Sequence, residues 1–526
     1  MLKEKRQSFS QSIFTLMFSQ VIIKIFGIIY KLYLTNRPSF GDKGNAIYSG
    51  AFQAYMIVLS IGCIGIPNAV SKLISERIGV EDYVGAKKIF KISFLLLSII
   101  GFVGCLFLFL FAHTIANNFL AMPETELSII ILAPAVFFEA IIAVFKGYFN
   151  GCQNMRPMAK SQTIEQALKT IFTIIFVEII CIFVSKNTKI MVAGANLATT
   201  FSTFVSLIYL FSIYFKERSE AFGNSKISAK QTVWEILKSI IAIAMPMTMS
   251  AILGSINKNI DSITIIKGLR NFLSESEAQI QYGILSGKID MLVTMPLSFN
   301  IAFATALVPA VSSAKAVGDY NNIKNKVEFS LLINMLIGLP CCLGICLFAE
   351  PILNLLFPNA SQGAFILQIS SISIIFLTVE QTVIGTLQGL GKTLTPLIGM
   401  CCGAVAKIII NVSLVKINPE TFIFGGIAGA AVGTVVCHII STLFGMFQIG
   451  KNLKLKLNFT NFLLKPVIAT IMMGIVAVIL HKILPIYINK NLSLIISILI
   501  SAMFYIITIF QLKVINIKDI KIFRRV

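Results

Sequence analysis

The sequence predicts an all-α polytopic membrane protein of about fourteen transmembrane helices, arranged as two parallel six-helix lobes followed by two further helices. Three observations predict it. Of 526 residues, 56% are apolar and only 13% are charged, with a mean hydropathy of +0.86. A typical soluble chain carries about 25% charged residues, so this one lacks the polar surface to coat a globule, which excludes an ordinary soluble enzyme and a disordered chain. Apolar runs of about 20 residues, the length that crosses a bilayer, recur from end to end. Finally, the basic residues alternate between rich and poor segments along the chain.

Taken in order, spans are expected at 9–33, 46–69, 92–113, 127–146, 162–185, 190–214, 233–258, 284–310, 328–349, 362–387, 395–416, 423–448, 463–485 and 491–512. The first resembles a signal peptide, with Lys3, Lys5 and Arg6 before an apolar run. It is too long and has no small-residue cleavage site, so it reads as a retained helix. The first, seventh and eighth spans each contain charges. With the N-terminus inside, 28 Lys and Arg fall in cytoplasmic segments, 9 in external loops and 7 within spans. That bias fits the positive-inside rule with both termini cytoplasmic. Most of the net charge of +21 is therefore topology, and nucleic acid is not an expected partner. The expected location is the bacterial cell membrane, with membrane lipids as neighbours and the chain a monomer. The ten cysteines lie mostly in apolar runs without zinc-type spacing and read as small apolar residues. The segment from Ser71 to Lys91 mixes both signs of charge and reads as a solvated amphipathic connection near anionic headgroups.

An internal repeat accounts for the lobes. Ile66-Pro67-Asn68-Ala69-Val70-Ser71-Lys72 is similar to Val308-Pro309-Ala310-Val311-Ser312-Ser313-Ala314-Lys315, and Asp82-Tyr83 recurs as Asp319-Tyr320. Gly147 and Gly151 followed by Pro157 recur as Gly385 and Gly389 followed by Pro396, and Lys169 recurs as Lys407. Gly194-Ala195 with Thr199 recurs near Gly429-Ala430 with Thr434. The offset of 237 to 238 residues spans six helices, an even number, so both copies have the same orientation. The expected domains are 1–215, 216–450 and a C-terminal part, 451–526, of two helices and a basic cytoplasmic tail. Two repeated lobes around a cleft are a transporter layout.

Charged groups inside spans usually face a polar cavity or a partner. Gln20, Lys24, Gly27 and Lys31 are spaced by 4, 3 and 4 residues and share one stripe of the first helix. Lys24, near mid-membrane, is a candidate to attract an anion, and Lys31 is a second; a buried pair with an acid, or snorkelling of Lys31, is the alternative. Lys258 and Asp261 can touch, three residues apart, whereas Lys288 and Asp290 face apart. Lys258 and Lys288 extend the anion-site candidates, against the plainer reading of lysines at an interfacial helix end. Glu165 and Lys169, four apart, read as a helix ion pair. Glu139, Glu178 and Glu380 are isolated acids that could bind a proton or cation, or partner a lysine. Gly389-Leu390-Gly391-Lys392-Thr393 has Thr386 where a phosphate-binding loop needs glycine, so ATP binding is rejected. His113, His438 and His481 are scattered, and no catalytic triad, paired-carboxylate motif or metal cluster is visible. Neither an enzyme nor a bound cofactor is expected, apart from a coupling cation of unspecified identity.

Gly41-Asp42-Lys43-Gly44-Asn45-Ala46-Ile47-Tyr48, the run from Gly65 to Glu76, Gly147-Tyr148-Phe149-Asn150-Gly151 and Ser161-Gln162-Thr163-Ile164-Glu165-Gln166 together resemble the polysaccharide-biosynthesis branch of the multidrug/oligosaccharidyl-lipid/polysaccharide exporter superfamily. MurJ-like lipid II flippases and stage V sporulation protein B belong to this branch. The resemblance implies fourteen helices in two lobes and a central cavity opening alternately to each side. In MurJ-like members, basic residues of that cavity are thought to hold the diphosphate of the lipid-linked sugar. Lys24 with Gly27 matches the family's basic-x-x-Gly element, with Lys for the usual Arg, and a further basic position is Tyr30 here. Lysine neutralises a phosphate without the bidentate fork of arginine.

The first functional reading is a flippase for an undecaprenyl-diphosphate-linked saccharide, foremost the peptidoglycan precursor lipid II. Lys24 and Lys31, with Lys258 or Lys288, would screen the diphosphate, and membrane potential, an ion gradient or product consumption would drive it. Another lipid-linked polysaccharide unit or a sporulation-specific cortex precursor is the alternative cargo. The second reading is a cation-coupled exporter of small cationic compounds, in which Glu139, Glu178 or Asp261 matters more than Lys24. A membrane-embedded transferase is third.

Overall fold

In the computed structural model the described residues are 9–63, 65–152, 154–184, 186–221, 232–297, 300, 307–308, 310–312, 314–315, 318–453 and 460–514, with side chains described from Phe18 onward except at 217–221 and 250. Among them the regular structure is helical, and thirteen helical stretches are long and apolar enough to cross a membrane. The thirteen match the expected spans apart from the eighth, whose second half at 298–299, 301–306 and 309 falls outside the described residues. The chain divides into two compact units: Met1–Lys288 with Val415–Asn418, and Ile289–Leu414 with Pro419–Val526.

The first unit holds α1 (Phe9–Asn36), α2 (Gly41–Cys63), α3 (Gly65–Gly79), α4 (Tyr83–Thr114), α5 (Glu126–Gly151), α6 (Arg156–Ile179), α7 (Thr188–Ala221), α8 (Val233–Leu269) and α9 (Glu275–Gly283). One apolar cluster joins Ile74, Ile89 and Phe90 to Phe145, Tyr148, Leu210 and Tyr214. The rings interlock: Phe90 stacks on Tyr214 with centroids 4.7 Å apart, and Phe145 meets Phe211 edge-on at 4.8 Å. Much of the Ser71–Lys91 segment is helical and packed, because Ile74, Ile78, Ala86 and Ile89 form a buried stripe. The turn between α3 and α4 is fixed by Asp82, whose carboxylate caps Gly85 N at 2.7 Å.

The second unit holds α10 (Asp290–Thr294), α11 (Tyr320–Leu347), α12 (Ala349–Leu356), α13 (Ala364–Ser371), α14 (Ser373–Gly389), α15 (Thr395–Leu414), α16 (Gly426–Leu453), α17 (Lys465–Ile483) and α18 (Lys490–Gln511). Its core is aliphatic, built from Val311, Val327, Leu331, Val383, Leu387 and Ile449. Membrane helices gain nothing from hiding apolar surface from lipid, so small residues that let backbones approach decide which faces meet.

That rule makes one contact twice. A methyl on Gly151 would lie 2.8 Å from Ile74 Cβ and 2.9 Å from Ser71 O. A methyl on Gly389 would lie 2.7 Å from Val311 Cβ and 2.9 Å from Val308 O. These positions stand at the repeat offset, as do Asp82 and Asp319, which cap their helices with φ near −84° and ψ of 74° in both copies. The glycine-rich turn after Gly389 is likewise structural. Gly391 takes φ of +76°, and Lys315 Nζ donates to Leu390 O at 2.7 Å.

Candidate functional site

The polar part of the first unit gathers along α1. Ser19 Oγ donates to Ala159 O at 3.0 Å and pairs with Thr163 Oγ1 at 2.8 Å. Thr170 Oγ1 donates to Phe26 O at 3.1 Å. α1 thus lies along α6 through hydroxyl contacts two turns apart. Lys24 is half-buried in this stretch. One turn on, a methyl on Gly27 would sit 3.8 Å from Gln166 Nε2.

Lys31 turns toward α2. Its Nζ donates to Asn45 Oδ1 at 3.4 Å and lies 5.2 Å from the Tyr48 ring centroid. Asn45 is fully buried and donates from Nδ2 to Thr35 Oγ1 at 2.8 Å, so it holds α1 and α2 together while presenting its oxygen to the lysine.

Lys169, on α6, is the residue that sequence reasoning misplaced. The expected helix pair with Glu165 does not form. The Lys169 ammonium instead lies 4.8 Å from the Phe52 centroid, 5.5 Å from that of Tyr30 and 5.9 Å from that of Tyr48. Lysine 169 is 8% exposed, and among the described residues no carboxylate comes within ion-pair distance of it. A desolvated cation over an aromatic face gains about 0.5–2 kcal/mol per ring, whereas removing an ammonium from water costs several kcal/mol. The rings soften the cost and leave the ammonium a strong attractor for an anion. Because Tyr48 faces both Lys31 and Lys169, two cations share one ring, and a dianion would relieve their mutual repulsion. The signal available in the sequence was the recurrence of Lys169 as Lys407, which is also buried, at 3% exposure.

The remaining candidates are distributed as follows. Lys288 is fully buried and its Nζ lies 2.9 Å from Asp42 Oδ2. Close backbone approach makes this pair possible: a methyl on Gly283 would fall 1.8 Å from Asp42 O, and one on Gly287 2.7 Å from Asn45 Cβ. The start of α2 thus brings Lys31 and Lys288 into one neighbourhood through Asn45 and Asp42. Lys258 lies on an exposed position of α8, while neighbouring Asn259 donates to Gln53 O at 3.3 Å. Asp261 is half-buried on the same helix. Glu139 is buried and accepts from Lys146 Nζ, two turns along α5, at 3.4 Å. Glu178 is one-third exposed, pairs with Arg37 at 2.8 Å and accepts from the Tyr33 hydroxyl. Both acids therefore carry a cationic partner. Among the described residues no group of three metal-ligating side chains assembles.

In the second unit a buried polar cluster joins α14 to α16. Glu380 accepts from Ser441 Oγ, and its other oxygen lies 2.9 Å from His438 Nδ1. Neither partner was linked to Glu380 in the sequence, since 58 and 61 residues separate them.

Comparison with known proteins agrees with this architecture. The family described as polysaccharide biosynthesis protein matches residues 9–315, and the MatE family matches residues 284–413. The lipid II flippase MurJ of Bacillus subtilis is 24% identical over 457 residues, 84% of this chain and 82% of that protein. Stage V sporulation protein B of the same organism is 24% identical over 474 residues, 89% of this chain and 88% of that protein. A solved structure of lipid II flippase MurJ in an inward closed conformation superposes with a TM-score of 0.64 at 18% identity, covering 94% of this chain and 97% of that one.

Proposed function

The chain belongs to the polysaccharide biosynthesis protein family of the multidrug/oligosaccharidyl-lipid/polysaccharide exporter superfamily, and we propose that within it the protein is a flippase for a polyprenyl-diphosphate-linked saccharide, foremost lipid II. It is a transporter on this reading, not an enzyme. It works as a multi-pass protein of the bacterial cell membrane, with both termini cytoplasmic, by alternating access. The repeat halves 1–215 and 216–450 are the moving parts, and the cargo and surrounding lipid are its partners; a monomer suffices. The observation that carries the reading is the pair of ammoniums, Lys31 and Lys169, facing one ring at 5.2 and 5.9 Å, with Lys24 on the same helix as Lys31. Doubly charged diphosphate suits two or more cations held near each other in a poorly hydrated place. Lys288 and Lys258 are the reserve cations, Lys288 becoming available only if its Asp42 contact opens. The polyprenyl tail stays in lipid while the headgroup crosses.

The test is replacement of Lys24 by Ala in a strain depleted of its own flippase. Loss of complementation at unchanged membrane level is expected, and full complementation would sink the proposal. The match of the MatE family to residues 284–413 supports a second reading, a cation-coupled exporter of small cationic compounds. There Glu139, Glu178 and Asp261 would be the coupling acids, and deletion would change drug susceptibility with normal cell-wall synthesis.

A further inference from the structure

We infer that Glu380 and His438 form a proton-binding site in the second unit, distinct from the cationic cluster on α1. The proposal rests on the transport reading above, since a bound proton matters there as a coupling ion. Glu380 belongs to α14 and keeps 8% of its side chain exposed; His438 belongs to α16 and keeps 17%. Burial of an ionisable side chain within a membrane helix is costly, and such residues mark ion and proton paths more often than scaffolding. This pair has the parts of a proton site.

The Ser441 hydroxyl donates to one carboxylate oxygen and so fixes the carboxylate. With Glu380 ionised, the hydrogen on the imidazole sits on Nδ1 and points to Oε2, 2.9 Å away. That tautomer leaves the Nε2 lone pair free, and among the described residues Nε2 has no hydrogen-bond partner. The pair then carries one net negative charge. One proton added at Nε2 makes an imidazolium facing a carboxylate, and the pair becomes neutral. The site thus has one geometric position for an exchangeable proton, the Nε2 lone pair, beside a carboxylate that is held in place by Ser441.

The surroundings do not supply a competing ion pair. The ionisable groups on the described elements packed against α14 and α16 are Asp290 of α10, Tyr320, Lys324, Lys326, Glu328, Cys341, Cys342 and Cys346 of α11, and Cys401, Cys402 and Lys407 of α15, with Cys437 and Lys451 on α16 itself. Among the described residues Glu380 pairs with none of them, and Glu328 pairs with Lys324 at 3.9 Å. A hard cation takes six or more oxygen ligands, and among the described residues the hydrogen-bond partners of the carboxylate are an imidazole and one hydroxyl.

The experiment uses the full chain in liposomes with a fluorescent undecaprenyl-diphosphate-linked disaccharide, whose appearance in the outer leaflet is read by a membrane-impermeant quencher. The readout is the ratio of the rate under an imposed pH gradient to the rate at symmetric pH. A several-fold ratio is expected for the native protein, with a ratio of one under a sodium gradient. His438→Gln and Glu380→Gln should each bring the pH-gradient ratio to one. A native ratio of one, a response to sodium alone, or a variant that keeps the native ratio would overturn the proposal. Should the native chain move no lipid-linked saccharide, the transport reading fails. The site is then judged, as it also is for a variant too slow to give a ratio, by the pH dependence of the unfolding midpoint in detergent between pH 5 and 8. His438→Gln and Glu380→Gln should remove the same component of that profile; an unchanged profile in either variant overturns the site.

Discussion

The Lys169 ammonium lies 4.8 Å from the centre of the Phe52 ring, so a cation sits against an aromatic face in the interior of the first unit. Replacing Lys169 by Met keeps the volume and removes the charge. A lost charge-assisted contact to a phosphate is worth about 1.5–3 kcal/mol, so the rate of headgroup movement should fall by about 10- to 100-fold. The unfolding midpoint should stay level or rise, because a buried ammonium is removed. Lys169→Arg should keep part of the rate. A Met variant at the native rate would show that the cage is scaffolding only.

Lys288 and Asp42 behave differently. Their contact of 2.9 Å joins a fully buried lysine to a carboxylate, and removing one partner of such a pair leaves an uncompensated charge. Asp42→Asn is expected to cost about 3–5 kcal/mol, seen as a lower unfolding midpoint in detergent. Removing both charges together, with Asp42→Leu and Lys288→Met, should recover most of that loss. If Asp42→Asn unfolds at the native midpoint, Lys288 has another counter-ion.

The repeated glycine contact predicts equal penalties at two positions 238 residues apart. Gly151→Ala and Gly389→Ala each push a methyl to within 2.9 Å of a backbone oxygen, and overpacking of this kind costs about 1–3 kcal/mol. Gly79→Ala meets nothing within 4 Å and is the control. Unfolding midpoints measure all three; a neutral Gly389→Ala beside a damaging Gly151→Ala would mean that the two contacts are not equivalent.

Glu178 separates the two functional readings. Its pair with Arg37 is one-third exposed on both sides, and pairs of that kind contribute about 0–1 kcal/mol. Glu178→Gln should therefore change the unfolding midpoint little, and under the flippase reading it should leave headgroup movement intact. Loss of cation-dependent drug efflux in this variant would favour the exporter instead.

Composition and periodicity alone determined the class and thirteen of the spans, because a bilayer imposes long apolar helices. The repeat was legible for a related reason: glycines and capping aspartates are irreplaceable where backbones touch, and so they keep their spacing. The partners of the charged groups were not legible. Spacing of four suggested Glu165 for Lys169, but the ring faces of Tyr30, Tyr48 and Phe52 came from two other helices. Asp42 and Lys288, or Glu380 and His438, lie far apart along the chain, and nothing local says that they meet. A helix fixes its own stripe, while only the packing of one helix on another decides which groups share a low-dielectric space, and there the energy of a charge depends on who its neighbours are.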